Sequence, residues 1–400
     1  MTLRRPALHS ALLAVLLLAV APARADAQRF EFEQRMSPSQ VDEFIAELFD
    51  GYEAPRARSA VDVYLLSVDT LHPQGVTTPV RVQLFVPANE SVPPRGSYLF
   101  APGSTGIINP CRASREHEAG IRWGLYRAHT LALAGQGFVG ILPDYMGFED
   151  WNLNQPYFHG GSEARLLVDV TTAVHELLAA QAAPHVPGGL RGLTRVAAGY
   201  SQGGHAIFAA ADRNTDFPPG LELSGVIGYG PTTAVDALMI EYSSVAPMLV
   251  QAYREIYGDD RFPPADILAP EWAESLAYDT TRQCVGGMQS YYPHKPADLY
   301  AVRFLKSLWA GTLELTHPEI HRIMEENRVG LSGHGVPALI LQGTNDIVVY
   351  RETQDDFVVA LRELGSDVRY YVYEGARHDT RQIAFPDVVE WIDALPKGDR

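Results

Sequence analysis

The middle of the chain carries the stretch Gly199-Tyr200-Ser201-Gln202-Gly203-Gly204-His205. A short apolar run, residues 196–198, comes directly before it, and a helix-like run at 206–211 follows. A strand, a sharp turn and a helix around G-x-S-x-G are the context in which this motif presents a serine hydroxyl above a parallel sheet. The sequence therefore predicts that Ser201 is a nucleophile.

A serine hydroxyl is a poor nucleophile at neutral pH, so it needs a base, and the base needs a third group that fixes its tautomer. Asp346 follows the apolar run 338–341, and His378, the only histidine after it, follows the run 370–373. The chain order Ser, Asp, His is that of the α/β-hydrolases and differs from the orders in chymotrypsin and subtilisin. We therefore predict a triad of Ser201, Asp346 and His378.

Other residues near the triad are weaker candidates. Asp379 adjoins His378, but adjacency in sequence does not favour the geometry that an orienting acid needs. Asn345 is polar but uncharged, and His205 is interpreted as a helix residue. Asp346 and His378 remain the predicted acid and base.

A developing oxyanion needs two hydrogen-bond donors. One is the backbone N–H of the residue after the nucleophile, here Gln202, and the other comes from the loop after the third predicted strand. That loop reads Ala101-Pro102-Gly103-Ser104-Thr105-Gly106, and its glycines allow close approach of the backbone to a substrate. Thr105 is the predicted second donor and Gly106 the second choice; the alternative is that the loop is only a turn.

Strand and helix signals alternate along the chain, and its apolar content of 46% is enough for a large core. The runs 61–67 and 80–86 predict two antiparallel strands. Further strands are predicted at 98–101, 138–142, 194–200, 223–229, 336–341 and 368–373. Helices are predicted at 123–134, 162–182, after Ser201, at 352–364 and at 385–395. This alternation predicts an α/β fold with a mostly parallel sheet covered by helices on both faces.

The segment 231–335 interrupts this alternation, because it contains helix-like runs and several prolines but no comparable strand signal. We interpret it as a helical cap inserted into a hydrolase core of residues 28–230 and 336–400. Eight of its side chains are candidates for an apolar pocket: Met239, Tyr242, Met248, Leu249, Trp272, Tyr291, Tyr292 and Trp309. The alternative is that most of them form the core of the cap itself.

The first residues have the layout of a secretory signal peptide. Arg4 and Arg5 precede an apolar run of about 11 residues, which is short for a membrane span, and small residues follow. Cleavage is predicted after Ala27, with Ala25 as second choice, and the mature protein is expected to be secreted or periplasmic. The whole chain has a formal charge of -16, which argues against nucleic acid as a partner. The oligomeric state is left open.

The chain has two cysteines, Cys111 and Cys284. In an exported protein such a pair indicates one disulfide, and the alternative is two buried thiols. No complete H-E-x-x-H, P-loop or G-x-G-x-x-G pattern occurs, so no cofactor is predicted. His317 and His321 have the spacing of metal ligands on a helix but lack a third ligand in evidence, and no metal site is predicted.

Several stretches of sequence resemble the secretory lipases of the Candida antarctica lipase A kind and their bacterial relatives. They are Gly199-Tyr200-Ser201-Gln202-Gly203-Gly204, Pro143-Asp144-Tyr145-Met146-Gly147, Pro156-Tyr157, Ser162-Glu163-Ala164-Arg165, Gly343-Thr344-Asn345-Asp346 and Gly375 to His378. The resemblance covers about residues 95–395. This chain differs from the lipase in two respects. It lacks cysteines for a second disulfide near the C terminus, and it has Gly-Ser-Thr-Gly where the lipase has acidic residues.

The resemblance implies an α/β-hydrolase fold with a helical cap, lipase or carboxylesterase activity, and the triad given above. It also implies a Cys111–Cys284 bond, since the lipase A kind joins the same two regions. The expected substrate is a small-molecule or lipid ester, with transient contact of the cap with a lipid interface. The alternatives are a serine peptidase on the same fold, a feruloyl or polyester esterase, and, in another class, a non-catalytic binding protein.

Overall fold

Nine strands among the described residues form one sheet. The structure is a computed structural model that describes residues 30–88, 92–180, 186 and 188–396, so the predicted cleavage sites lie outside it. The strands are β1 (Phe30–Met36), β2 (Val61–Leu71), β3 (Thr77–Pro87), β4 (Gly96–Ala101), β5 (Phe138–Pro143), β6 (Arg195–Tyr200), β7 (Gly225–Tyr229), β8 (Ala338–Gly343) and β9 (Val368–Tyr373).

The strand order across the sheet is β1-β2-β3-β5-β4-β6-β7-β8-β9. The first three strands pair antiparallel to one another, and β3 pairs antiparallel with β5. All pairs from β5 to β9 are parallel. Because parallel strands end at the same edge of a sheet, the loops after β4, β6, β8 and β9 open on one edge, where ligands bind in open α/β sheets.

The helices lie between the strands and in one long insertion. They are α1 (Pro38–Ile45), α2 (Arg115–Glu118), α3 (Tyr126–Gly135), α4 (Gly160–Ala180), α5 (Gln202–Asp212), α6 (Val235–Glu241), α7 (Ala246–Tyr257), α8 (Pro264–Ile267), α9 (Pro270–Thr280), α10 (Val285–Tyr291), α11 (Pro296–Leu299), α12 (Val302–Trp309), α13 (Leu313–Thr316), α14 (Pro318–Glu326), α15 (Arg351–Glu363) and α16 (Phe385–Ala394).

Alternate residues of the central strands pack into two separate cores. In β8, Ala338 and Ile340 join the core that contains α4, α5 and the buried face of α15. Leu339 and Leu341 join the opposite core, with residues of α1, α3 and α16. Successive side chains of a strand point to opposite faces, so helices cover both sides of the sheet, as predicted.

Helices α6 to α14 all lie between β7 and β8, and this insertion has an apolar core of its own. Its extended pairing within residues 231–335 is limited to an isolated bridge between Leu268 and Tyr300. The fold therefore contains the helical insertion that the missing strand signal predicted.

The structure differs from the sequence prediction at several places, and helices α1 and α2 are among the elements that were not predicted. Strand β1 was not predicted, because its Phe-Glu alternation covers only four residues before Gln34 and Arg35, and most of its side chains are exposed at this edge of the sheet. Helix α3 begins at Tyr126 rather than near Trp123, because Leu125 has a left-handed φ of 51° and the Glu116 carboxylate accepts hydrogen bonds from the N–H groups of residues 124–126.

Candidate active site

Ser201 lies on the turn between β6 and α5, with φ 55° and ψ −113°. A non-glycine residue in this region costs about 1–3 kcal/mol and persists only where its surroundings fix it. The Ser201 N–H donates to the Tyr229 carbonyl at 3.1 Å, and its own carbonyl accepts from Gly204 and Thr232 at 2.9 and 3.1 Å. These bonds hold the serine in its strained conformation.

The glycines of the motif are required by close backbone approach. A Cβ atom on Gly199 would lie 2.0 Å from the Gly203 carbonyl oxygen, and one on Gly203 would lie 1.9 Å from the Ala101 carbonyl oxygen. Neither position can accept a side chain without displacement of the turn. The packing of β4, β6 and α5 therefore explains the G-x-S-x-G pattern.

The side chains of His378 and Asp346 are hydrogen-bonded to each other. Nδ1 of His378 lies 2.8 Å from Oδ2 of Asp346. Oδ1 of Asp346 accepts from the N–H groups of Val348 and Val349 at 2.8 and 3.0 Å, which fixes the carboxylate. Gly230 lies against this pair, since a Cβ there would approach His378 Nδ1 to 2.9 Å.

The other ring nitrogen of His378, Nε2, does not take part in the hydrogen bond to Asp346. Nε2 is buried and has no hydrogen-bond partner among the described residues. His378 and Ser201 line the same cavity, which has a volume of about 330 Å³. The structure thus brings all three predicted triad residues to one edge of the sheet, with an unpaired imidazole nitrogen at the cavity that the serine lines.

Asp379, the competing acid, has another partner. It forms an ion pair with the fully buried Arg381, whose Nη2 lies 2.6 Å from Oδ2 of Asp379. Burial alone would raise the pKa of Asp379, but the charge and hydrogen bonds of Arg381 lower it to about 2. The guanidinium also lies 4.8 Å from the ring centre of Tyr200, which in turn packs 4.9 Å from the ring of His378.

Gln202 begins helix α5, and its side chain is completely buried. Its Nε2 donates to Oε1 of Glu163 at 2.8 Å. Its backbone N–H follows the serine directly and precedes the intrahelical hydrogen bonds of α5, so it is free to bind an anion. Sequence reasoning did not identify Glu163 as part of the site, although it lies in Ser162-Glu163-Ala164-Arg165, one of the stretches that carry the resemblance.

Three tyrosine hydroxyls hold the loop after β4. Tyr145 donates to the Pro102 carbonyl at 2.7 Å, and Tyr157 lies 2.6 Å from Oγ of Ser104. A hydrogen bond also joins the Gly103 backbone to the hydroxyl of Tyr126. These contacts give the loop a defined backbone position beside the nucleophile turn.

The predicted donor Thr105 is buried, and its carbonyl accepts from Val285 N–H at 2.8 Å. Ser104, which was not predicted, lines the cavity instead. Within the described residues, the N–H groups of Ser104 and Thr105 make no hydrogen bond. Gly106, the second choice, packs against the cysteine pair, since a Cβ there would lie 2.8 Å from Sγ of Cys111.

Cys111 and Cys284 form a disulfide with a Cα–Cα distance of 5.4 Å. The bond joins the segment after β4 to the residue before α10, across 173 positions of sequence. The pairing implied by the family resemblance is therefore present.

The cavity is lined mainly by aromatic and aliphatic side chains. Its wall consists of Ser104, Arg122, Trp123, Tyr126, Tyr157, Phe158, Tyr200, Ser201, Leu238, Tyr242, Val245, Val285, Gly286, Gln289, Val348 and His378. Among the eight insertion residues considered for a pocket, Tyr242 lines this cavity. Met239, Met248, Leu249 and Tyr292 belong to the core of the insertion, while Trp272 and Tyr291 pack on Tyr292 and Trp309 is exposed.

No group of three or more histidine, cysteine, aspartate or glutamate side chains within the described ranges is placed to hold a metal ion. Nδ1 of His317 lies 2.8 Å from the hydroxyl of Thr316. In the same ranges, no helix has the length and apolar character needed to cross a membrane.

Comparison with known proteins gives matches at the level of structure. No family model matches the chain, and no curated protein sequence matches it. The structure is similar to the rice cell wall degrading esterase LipA from Xanthomonas oryzae, with a TM-score of 0.71 and 18% identity over 92% of this chain and 97% of that one.

A second similarity is to lipase A from Candida antarctica, with a TM-score of 0.64 and 16% identity over 92% of this chain and 82% of that one. The closed state of the same lipase gives a TM-score of 0.61 at 15% identity. At these identities the likeness shows the fold, which agrees with the fold implied by the sequence resemblance. The chain therefore has the lipase-like α/β-hydrolase fold, with a helical insertion between β7 and β8.

Proposed function

We propose that this protein is a serine hydrolase that cleaves carboxylic ester bonds. One observation carries the proposal: Nδ1 of His378 is bound to Asp346, while its buried Nε2 is unpaired and the ring lines the same cavity as the strained Ser201. This arrangement suits a base that is oriented by an acid and whose other ring nitrogen is free to accept a proton in the cavity that the serine lines.

In the proposed mechanism, Ser201 Oγ attacks the ester carbonyl and His378 Nε2 accepts its proton. His378 then returns the proton to the departing alcohol, while Asp346 holds the imidazole tautomer and stabilises the imidazolium. A water molecule that is deprotonated by His378 releases the acid from the acyl-enzyme. No step requires a cofactor.

The oxyanion of each tetrahedral intermediate is proposed to bind two backbone N–H groups. Gln202 provides one, and the loop after β4 provides the other. Thr105 remains the proposed second donor, and Gly106 is less suited because it packs on the disulfide. The unused N–H of Ser104 is an equal candidate, since this residue lines the cavity.

We also propose that residues 231–335 form a cap over the site and that residues 28–230 and 336–400 form the hydrolase core. The cap contributes Leu238, Tyr242 and Val245 to the cavity wall, which supports a role in substrate selection. Exposed apolar side chains on α12 and α13, including Trp309 and Leu315, support a transient contact with a lipid interface.

Export is part of the proposal, and the disulfide supports it because such bonds persist in oxidising compartments. Cleavage after Ala27 would give a mature chain that begins at Gln28. N-terminal sequencing of the exported protein tests this, and a chain that retains Met1 would contradict it.

A fluorophosphonate probe and matched substrates test the activity. We expect a covalent adduct on Ser201 and hydrolysis of p-nitrophenyl esters. Cleavage of p-nitroanilides without ester turnover would favour the serine peptidase. Absence of any adduct on the folded protein would favour a binding protein that kept the fold. Parallel assays with triglyceride, feruloyl ester and polyester substrates separate the ester classes.

A further inference from the structure

A buried acid–base pair lies beside the nucleophile turn and has no part in the proposed proton transfers. Oε2 of Glu163, in the first turn of α4, lies 2.5 Å from Nδ1 of His205, in the first turns of α5. The exposed fractions of the two side chains are 2% and 0%. Burial of such groups is costly unless they are paired, so the location of this pair requires an explanation.

The hydrogen bonds show how many protons the pair of Glu163 and His205 carries. Nε2 of His205 lies 2.7 Å from the carbonyl oxygen of Asn327. A carbonyl oxygen can only accept, so Nε2 must carry a hydrogen. One further proton therefore lies between Nδ1 of His205 and Oε2 of Glu163, and the pair is a fixed hydrogen-bonded unit.

The same carboxylate also binds the residue that is proposed to stabilise the oxyanion. Oε1 of Glu163 accepts from Nε2 of Gln202 at 2.8 Å. Gln202 has no exposed surface, and this is the one hydrogen bond of its side chain among the described residues. Glu163 thereby connects Gln202 to His205 across the first turn of α5.

The network continues into the helical insertion. Asn327, which follows α14, accepts from the Gly160 N–H at 2.9 Å and donates to the hydroxyl of Tyr257 on α7 at 2.9 Å. It therefore joins the start of α4, the first turns of α5 and the insertion. One set of hydrogen bonds therefore connects the insertion to Gln202.

We propose that Glu163 and His205 are positioning residues that direct the Gln202 N–H at the developing oxyanion. The inference rests on the proposed function and adds two residues to it. An oxyanion donor acts through preorganised geometry, and small displacements reduce its effect strongly. The hydrogen bond from the Gln202 side chain to Glu163 fixes Gln202 and so supplies that geometry.

Two variants at position 163 separate hydrogen bonding from charge. Glu163→Gln can accept from Gln202 and donate to Nδ1 of a neutral His205, so all hydrogen bonds are kept. Glu163→Leu has a similar size and removes them. Gln202→Ala keeps the backbone N–H but removes its tether, and it leaves the Glu163–His205 pair intact. Gln136→Ala is the control. Gln136, at the C-terminal end of α3, is also buried, and its side chain donates one hydrogen bond, to the carbonyl of Arg56.

The measurements are kcat and KM for a p-nitrophenyl ester, the affinity of a trifluoromethyl ketone that forms a tetrahedral adduct with the serine, and the melting temperature. We expect Glu163→Leu and Gln202→Ala to lower kcat and ketone affinity together by about 10², with little change in KM. Glu163→Gln should stay within about fivefold of the unaltered protein, and Gln136→Ala should change only stability.

Equal losses in Glu163→Gln and Glu163→Leu would overturn the proposal, because charge and not fixation would then be needed. Loss of activity in Gln202→Ala with unchanged ketone affinity would overturn it as well. If Glu163→Leu fails to fold, Gln202→Ala and Glu163→Gln still decide the question. Inactivity of the unaltered protein toward both ester and fluorophosphonate would overturn the proposed function itself, and the two failures are thus distinguished.

Discussion

Ser201 and His378 are expected to act as one unit. Replacement of either by alanine should lower kcat by roughly 10⁴ or more, because each residue is ineffective without the other. The double variant should therefore be little slower than either single variant. Steady-state kinetics with a p-nitrophenyl ester, at matched melting temperatures, measure this.

His321→Ala is a suitable control, since this histidine lies in the insertion and does not line the cavity. It should retain the kcat of the unaltered protein. If the losses in Ser201→Ala and His378→Ala multiplied in the double variant, the two residues would be acting independently, and the triad assignment would be wrong.

Asp144 is expected to make the protein less stable as the pH rises from about 4 to about 6. It is buried at the end of β5, and burial raises its pKa to about 6 despite hydrogen bonds from the N–H and hydroxyl of Ser114. The unfolded chain loses this proton near pH 3.8, so the folded state binds more protons over that interval. Its contribution is complete below pH 3.8 and is lost as the pH rises through about 6, for a total change of up to about 3 kcal/mol.

Urea unfolding of the unaltered protein and of Asp144→Asn between pH 4 and 7 measures this contribution. The difference in unfolding free energy between the two proteins should change over this interval in favour of the variant as the pH rises. Asp260→Asn, at an exposed carboxylate, is the control and should follow the unaltered protein. A constant difference between Asp144→Asn and the unaltered protein would contradict the prediction.

At the residue scale, the positions of the candidate residues could be predicted where a motif encodes local geometry. Ser201, Asp346 and His378 each follow a strand that ends at the same edge of the sheet, and their order in the chain is informative. Glu163 was missed because it meets His205 across 42 positions, and no local pattern specifies such a contact. The place of Ser104 in the cavity wall was not predicted, because the position of this loop depends on contacts with Tyr145 and Tyr157, which are distant in sequence.

The elements around the cavity predict a preference for compact esters. Its volume of about 330 Å³ is near the lower end for ligand pockets. A space of this size suits a short acyl chain better than a long acyl chain with its glyceride. A series of p-nitrophenyl esters should therefore show the highest kcat/KM for short acyl chains.

Leu238 on α6 lines the cavity, and its replacement tests whether this part of the cavity wall limits the length of the acyl chain. Leu238→Ala should enlarge the cavity and move the optimum toward longer acyl chains. Leu276→Ala is the matched control, because Leu276 is equally buried in the insertion but does not line the cavity. Both variants should lose about 2–5 kcal/mol of stability. An unchanged chain-length profile in Leu238→Ala would show that this wall does not bind the acyl group.

Among the elements, buried strands with continuous apolar runs were predictable, and the polar edge strand β1 was not. Strand β1 gains its pairing from β2, with a bulge between Phe32 and Gln34, and most of its side chains remain exposed. The start of α3 depends on Glu116, which caps it from α2, and a contact of that kind is not visible from helix periodicity.

On the scale of the whole molecule, the insertion is held to the core beside the site. Val285 N–H binds the Thr105 carbonyl, Asn327 binds His205, and the disulfide joins Cys111 to Cys284. The disulfide could be predicted from the sequence, because the chain has two cysteines and the resemblance to the lipase A kind implies a bond between them. The sequence did not indicate that Gly106, next to the predicted donor, would pack directly on the side chain of Cys111. A covalent bond therefore joins the insertion to the segment that follows the loop after β4.

Reduction of this disulfide should destabilise the protein by roughly 2–5 kcal/mol, because the bond closes a very long loop in the unfolded chain. It should also loosen the insertion before it affects the triad, since Ser201, Asp346 and His378 belong to strand ends of the sheet and not to the insertion. Chemical unfolding with and without reductant gives the free energy. Hydrogen exchange of α10 and the rate of fluorophosphonate labelling report on the insertion and on Ser201 separately.

The variant with both cysteines replaced by alanine is the control, and reductant should have no effect on it. Loss of labelling at lower reductant concentrations than the loss of protection in α10 would show that the bond holds the catalytic residues rather than the cap.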